Sequence, residues 1–311
     1  MHFTAARLLI LAAVLLASGG LLWIGLTLLI AWSILTPPRM SAGKAIYHLR
    51  RLSPGDLGLG FEEQSFTVRD LRTGRKLRLA GWWIPASPSS NRCAILIHGY
   101  ADAKVGSIAF APLLNDLDLN ILVIDLRAHG ESDGRFSTGG FFERDDISQV
   151  IDQIRSDRPF QTERMILFGI SLGASVACGV AAARKDLAGI ILESPFPSYE
   201  RVITNHARLM HLPGGWMLKT AIWLAQKFSG ADFSQVRLVD LIKHIHCPAL
   251  LIVGGDDELL EAEDIAELRS AATDDTSSEF WLVCHAGHLQ AMSVDPIEYR
   301  HRAAAFLEKL A

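Results

Sequence analysis

Six short apolar runs, each about one strand long and each closed by a polar or glycine-containing cluster, limit what this chain can fold into. They occupy residues 93–97, 121–124, 165–168, 188–192, 249–253 and 279–283. Between several of them lie helical patterns, at 108–117, 143–155, 174–183 and 261–272. In the second of these, Ile147, Val150, Ile151 and Ile154 recur at the three-to-four-residue spacing that puts them on one helical face. Short apolar strands alternating with helices predict a parallel sheet covered on both faces. Two alternating stretches, 65–71 and 76–84, meet at Thr73-Gly74 and read as an antiparallel hairpin at the start of that sheet. A last helix is announced by Asp295-Pro296-Ile297-Glu298, with a capping acid, proline at the first position and glutamate three residues on. One stretch, about 195–246, is too long for a simple crossover. Its Trp216, Met217, Ile222, Trp223 and Phe228 predict a small helical cap, the alternative being ordinary helices packed on the sheet's flank.

Residues 8–35 carry no charge and are long enough to cross a bilayer as a helix. A cleavable signal peptide has a shorter apolar core. Ala17-Ser18-Gly19 is a possible cleavage site, but cutting there would leave an apolar new end, so an uncleaved anchor over 1–38 is expected. Pro37-Pro38 stops the helix, and Trp23 and Trp32 suit a span. Residues 39–60, punctuated by Ser, Pro and Gly, read as a linker, and 61–311 as the body. Arg39, Lys44, Arg50 and Arg51 after the span outnumber Arg7 before it, which puts the body of a single-pass protein in the cytoplasm.

The net charge of −4 over 311 residues, with acids and bases interspersed, argues against nucleic acid as a partner. The four cysteines, Cys93, Cys178, Cys247 and Cys284, lack C-x-x-C spacing and read as buried thiols, with no disulfide framework or zinc site. His244 and His246 have no further ligands near them in sequence, so no metal is expected there.

Buried parallel strands deliver function to the loops at their carboxyl ends. Here those loops begin with His98-Gly99-Tyr100, Asp125, Ser171, Glu193-Ser194, Gly254-Gly255-Asp256-Asp257-Glu258 and His285-Ala286-Gly287-His288. Ser171 sits in Gly169-x-Ser-x-Gly173 between a strand and a small-residue helix, the setting of a nucleophile lifted out of a sharp turn. A hydroxyl at neutral pH needs an adjacent imidazole, and the imidazole needs a carboxylate to hold its tautomer. Serine, acid and histidine occur in that chain order, each at a strand end.

Taken together, the Gly169–Gly173 motif, His98-Gly99, Asp125-x-Arg127-x-His129-Gly130-x-Ser132, the acidic loop and Gly287-His288 resemble the α/β-hydrolase superfamily. The chain is most similar to its esterase and serine aminopeptidase-like branch, and Gly81-Trp82-Trp83-Ile84-Pro85 and Gly140-x-x-Glu143-x-x-Asp146 also look like that branch. The resemblance covers about 61–310. It implies Ser171 as nucleophile, His288 as general base, and the backbone N–H groups of Leu172 and Tyr100 as oxyanion donors. It implies Asp257 as the orienting acid, with Glu258 or Asp256 as alternatives, because the proline expected after Leu259-Leu260 is replaced by Glu261. His98 and His129, with Asp125, Arg127, Glu143 and Asp146, would fix loops. His285 is expected to be a strand-end residue.

A membrane-anchored serine hydrolase acting on an ester, thioester or amide follows, with a small-molecule or lipid substrate and no cofactor. The alternatives are a non-catalytic binding protein on the same fold and an acyltransferase using the same residues.

Overall fold

The computed structural model describes residues 2–273 and 278–310. Its centre is one eight-stranded sheet in the order β1-β2-β4-β3-β5-β6-β7-β8. The strands are β1 Glu62–Arg69, β2 Lys76–Ile84, β3 Arg92–Ile97, β4 Asn120–Ile124, β5 Arg164–Ile170, β6 Gly189–Glu193, β7 Ala249–Gly254 and β8 Glu279–Val283. The β1–β2 hairpin is antiparallel and β2 joins β4 antiparallel, whereas every pairing from β4 through β3 to β8 is parallel. The α/β architecture expected from the alternation is therefore the observed one. Its central strands are apolar on both faces, as a sheet covered on both sides requires.

The helices are α1 His2–Leu35, α2 Ala42–Leu49, α3 Lys104–Ser107, α4 Ala111–Asp116, α5 Glu143–Asp157 and α6 Leu172–Ala183. After them come α7 Tyr199–Leu209, α8 Gly215–Ser229, α9 Leu238–Leu241, α10 Ala262–Thr273, α11 Ala291–Val294 and α12 Pro296–Lys309. Two apolar layers result. One gathers α5, α6 and the α7–α10 side with Ile95, Leu167 and Leu192, and the other gathers Phe110, Phe168, Tyr299 and Phe306 under α4 and α12. α12 begins as its sequence predicts, the Asp295 carboxylate accepting from Glu298 N–H at 3.2 Å. Such a cap is worth about 1 kcal/mol. The single helix expected over 108–117 is instead a 3-10 turn at Ile108–Phe110, following α3, and then α4, because Pro112 cannot continue a helix begun upstream.

The stretch between β6 and β7 holds α7, α8 and α9, and α8 packs against α1. The N-terminal helix is long and apolar enough to cross a membrane, yet its second half belongs to the body's core. Thr27, Ile30, Ala31, Ile34 and Leu35 are buried, at helical spacing, while Ile10–Leu22 is exposed all round. A helix end leaves four carbonyls without intrahelical partners, and here the body supplies most of what they need. Trp32 O accepts from Thr36 N–H at 3.0 Å and Leu35 O from Ser137 N–H at 2.8 Å. Ser33 O accepts from the Tyr100 hydroxyl and Ile34 O from the Tyr199 hydroxyl, at 2.5 and 3.3 Å.

Residues 39–60, expected as a linker, are folded. They form α2 and a 3-10 turn at Pro54–Leu57, and Ala45 joins the second core layer. The Arg39 guanidinium donates to the carbonyls of Gly130, Ser132 and Gly134. Ser, Gly and Pro in this stretch punctuate short helices: Ser41 caps α2 by accepting from Lys44 N–H, and Pro54 opens the 3-10 turn.

Candidate active site

β5 ends at Ile170, and the chain reverses into α6 through Ser171, whose backbone has φ 52° and ψ −109°. A non-glycine residue at positive φ is costly and persists only where its surroundings enforce it. The enforcement is visible in the flanking glycines. A Cβ on Gly169 would collide with the carbonyl of Gly173, and one on Gly173 with the carbonyl of Ile97. Close packing of β5, α6 and the end of β3 thus demands both glycines, and the turn between them carries Ser171 Oγ out of the sheet at the α6 N-terminus. There the first backbone N–H groups of the helix, beginning with Leu172, have no intrahelical acceptor.

His288 Nε2 lies 3.0 Å from Ser171 Oγ, and His288 Nδ1 lies 2.7 Å from Asp257 Oδ2. The three side chains form one hydrogen-bonded line across residues far apart in sequence. Asp257 is held for this by Leu259 N–H, which donates to its other carboxylate oxygen at 3.0 Å. The alternative acids point elsewhere. Glu258 Oε2 accepts from the backbone N–H of His288 at 3.4 Å, and Asp256 faces the exposed ring of His285 at 3.5 Å. Asp257 is buried and His288 is only slightly exposed, so the ion pair that protonation of His288 would create sits in a partly desolvated place.

The loop after β3 brings Gly99 against Ser171: a Cβ on Gly99 would contact Ser171 Cβ at 3.4 Å. Tyr100, the next residue, anchors its ring by bonding Ser33 O. The His98 ring accepts from Leu126 N–H through Nε2 at 3.0 Å, so its Nδ1 carries the proton and donates to Gly99 O at 2.7 Å. His98 therefore ties the β3 loop to the β4 loop and is not within hydrogen-bond reach of Ser171 in this arrangement. His129 Nδ1 faces Arg127 O at 2.9 Å, and burial pushes the imidazole down to about 3, so it stays neutral.

Beneath these loops lies a buried ionic network. Arg127 donates to Asp146 through Nε and a terminal nitrogen at 2.5 and 2.7 Å, and to Asp70 at 3.1 Å. Glu143 accepts from Thr138 N–H, Thr138 Oγ1, Ser137 Oγ and Gly140 N–H. Asp125 accepts from Lys104 N–H and Nζ and from Glu131 N–H. Glu143 and Asp125 each fix a loop whose backbone donors would otherwise be buried without partners.

Three groups near the site carry no motif. Ser194 Oγ accepts from Leu289 N–H at 3.0 Å, linking the β6 loop to the residue after His288. Glu193 is fully buried at the end of β6, where the Tyr299 hydroxyl donates to it at 2.9 Å. Burial, aided by the nearby charge of Asp257, raises its carboxyl to about 8. Ser33 on α1 completes the set. The only sequence signal for Glu193 was its place at a strand's carboxyl end; Ser33 had none. Among the described residues, no three His, Cys, Asp or Glu side chains gather as a metal site requires. Cys93, Cys178 and Cys247 are buried and Cys284 is exposed, so one of the four departs from the buried reading because it sits one residue past the end of β8.

A family model described as serine aminopeptidase, S33, matches residues 88–233. The uncharacterized protein YfhR of Salmonella typhimurium is 30% identical over 248 residues, covering 75% of this chain and 76% of that relative. The α/β hydrolase domain-containing protein aho-3 of Caenorhabditis elegans is 28% identical over 244 residues, or 78% of this chain. The chain spans 63% of that protein's length, and 64% of the length of two uncharacterized Mycobacterium tuberculosis relatives. Among solved structures, the esterase Pf2001 of Pyrococcus furiosus superimposes with a TM-score of 0.69 at 26% identity, covering 89% of this chain and all of that one. With the sheet order and the β5–Ser171–α6 turn described above, these likenesses show that the chain belongs to the α/β-hydrolase superfamily.

Proposed function

We propose that the chain is a membrane-anchored serine hydrolase that cleaves an ester, thioester or amide through an acyl-enzyme. The observation that carries this is the line Asp257–His288–Ser171, at 2.7 and 3.0 Å, with the serine on a positive-φ turn at a helix N-terminus. Ser171 Oγ attacks the substrate carbonyl carbon as its proton passes to His288 Nε2. Asp257 holds Nδ1–H and balances the imidazolium. The tetrahedral oxyanion is received by the N–H groups of Leu172 and Tyr100, donors that are worth most when preorganised. His288 then protonates the leaving group as its bond to carbon breaks. Water, deprotonated by the same imidazole, releases the acid and restores the serine.

Similarity to the Pyrococcus esterase favours carboxylic esters among the three bond types. The domain division follows the same reading: a hydrolase body over 61–311 with helical cap at about 195–246, held by the anchor in 1–38, its active side in the cytoplasm. The apolar N-terminal helix supports the anchor, and the residues 39–60 between anchor and body are a folded brace. A panel of p-nitrophenyl esters tests the chemistry. The full chain in detergent should release nitrophenol, and Ser171→Ala should fall to the background rate with an unchanged melting temperature. Equal turnover by a folded Ser171→Ala variant would rule the mechanism out.

A further inference from the structure

α1 is too short, outside its contact with the body, to cross a membrane alone. From Leu8, after the last charged residue, to Leu22, before the first body contact, there are fifteen residues, about 22 Å of helix. A bilayer's hydrocarbon core is about 30 Å thick, and tilting the helix only widens the shortfall. The missing length must come from the segment beginning at Trp23, which is the segment that packs on the body. Trp23 stacks on Trp216, ring centroids 4.1 Å apart, at the first turn of α8. The other end of α8, Gly230, lies against Arg72, whose guanidinium sits over Phe136, which in turn packs edge-on to Trp32. α8 therefore runs beside α1 in the same direction, and the turn joining α7 to α8 projects toward the part of α1 that must be in lipid.

The surface there has the chemistry of a membrane interface. Met210, Trp216 and Trp223 are 60, 68 and 54% exposed, and Leu212 joins them at the α7–α8 turn. Trp216 and Trp223 are seven residues apart on the outward face of α8, with Lys219 and Lys227 on that same face, and α8 contains no acid. Tryptophan with lysine on one exposed stripe places aromatic rings at the acyl–headgroup boundary and ammonium groups at anionic headgroups.

We propose that the α7–α8 corner is itself a membrane-contacting surface, its Met210, Leu212, Trp216 and Trp223 lying in the acyl boundary of an anionic leaflet and its Lys219 and Lys227 at the headgroups. This rests on the anchoring proposed above. The occupant is the lipid leaflet that α1 enters, because the patch is continuous with α1 through the Trp23–Trp216 stack. The loops around Ser171, joined to the end of α1 through Tyr100 and Ser33, are then held beside the leaflet, which makes esters dissolved in that leaflet the substrate class within reach.

The full chain, with Cys284→Ser to remove the exposed thiol, is labelled with an environment-sensitive fluorophore at Leu16→Cys, Leu212→Cys or Trp223→Cys. Each is reconstituted into phosphatidylcholine vesicles containing phosphatidylglycerol and a nitroxide-labelled lipid, the nitroxide deep in the acyl chain for position 16 and shallow for 212 and 223. Quenching at all three positions is expected, with the signal at 212 and 223 reduced at least twofold by the labelled lipid and insensitive to aqueous iodide. Quenching at 16 alone, with 212 and 223 open to iodide, would leave the anchor standing and overturn the contacting surface. No lipid quenching at 16 would overturn both.

Discussion

The Tyr100 hydroxyl donates to the main-chain carbonyl of Ser33 at 2.5 Å, joining the last turn of the N-terminal helix to the loop that adjoins Ser171. The residue proposed as an oxyanion donor is thus positioned from its side chain by a helix that reads, in sequence, only as an anchor. Tyr100→Phe removes this bond and leaves the backbone donor in place. One neutral hydrogen bond contributes about 1 kcal/mol, so kcat for an ester should fall by no more than about fivefold, with KM little changed. Steady-state kinetics on the full chain check this.

The identity of the acid separates by substitution. Asp257→Asn leaves the imidazole without its anionic partner and should lower kcat by about 10⁴, the scale seen when a triad acid is made neutral. Glu258→Gln, which alters only a 3.4 Å contact to the His288 backbone, should stay within about threefold of the wild type. The reverse order of effects in parallel assays would move the acid to Glu258.

Gly173 admits no side chain, because its Cβ would meet the carbonyls of Ile97 and His98. Backbone cannot yield as a flexible side chain does. Gly173→Ala should destabilise the body by about 3 kcal/mol or more. A melting temperature within a degree of the wild type would contradict the packing described at the turn.

Glu193 gives a pH test of stability. Its ordinary carboxyl value of 4.5 is raised to about 8 in the fold by burial. Below the ordinary value both folded and unfolded states hold the proton, and this residue's contribution is fully present. As pH climbs, the unfolded chain releases the proton first, so stability is lost progressively until the folded carboxyl ionises near the raised value. Thermal melts should show Glu193→Gln losing less stability than the wild type between those two limits. Parallel profiles for the two proteins would show that Glu193 is ionised in the fold.

What was legible in the sequence follows from what side chains alone encode. Runs such as 93–97 and 249–253 read as strands because both faces are buried, and the glycines around Ser171 marked a turn whose packing tolerates nothing larger. Among the three acids 256–258 the resemblance favours Asp257 and leaves Glu258 and Asp256 open, since neighbours in a loop differ by direction and direction is set by contacts such as Leu259 N–H on Asp257. The docking of α1 was hidden for another reason. A helix apolar on every face looks the same whether lipid or protein covers it, and the buried residues Thr27, Ile30 and Ile34 stand out from their neighbours only once the body is seen beside them. The 39–60 stretch misled because residues that interrupt a long helix also cap short ones.

The central claim is that Ser171 is a nucleophile made reactive by His288. Its most direct test is labelling of the full chain with a fluorophosphonate, followed by peptide mass mapping, alongside a His288→Ala variant. One adduct on Ser171, formed in the wild type and slowed at least a hundredfold in His288→Ala, is the predicted result. An unlabelled Ser171 in folded wild-type protein, or labelling at the same rate without His288, would contradict it.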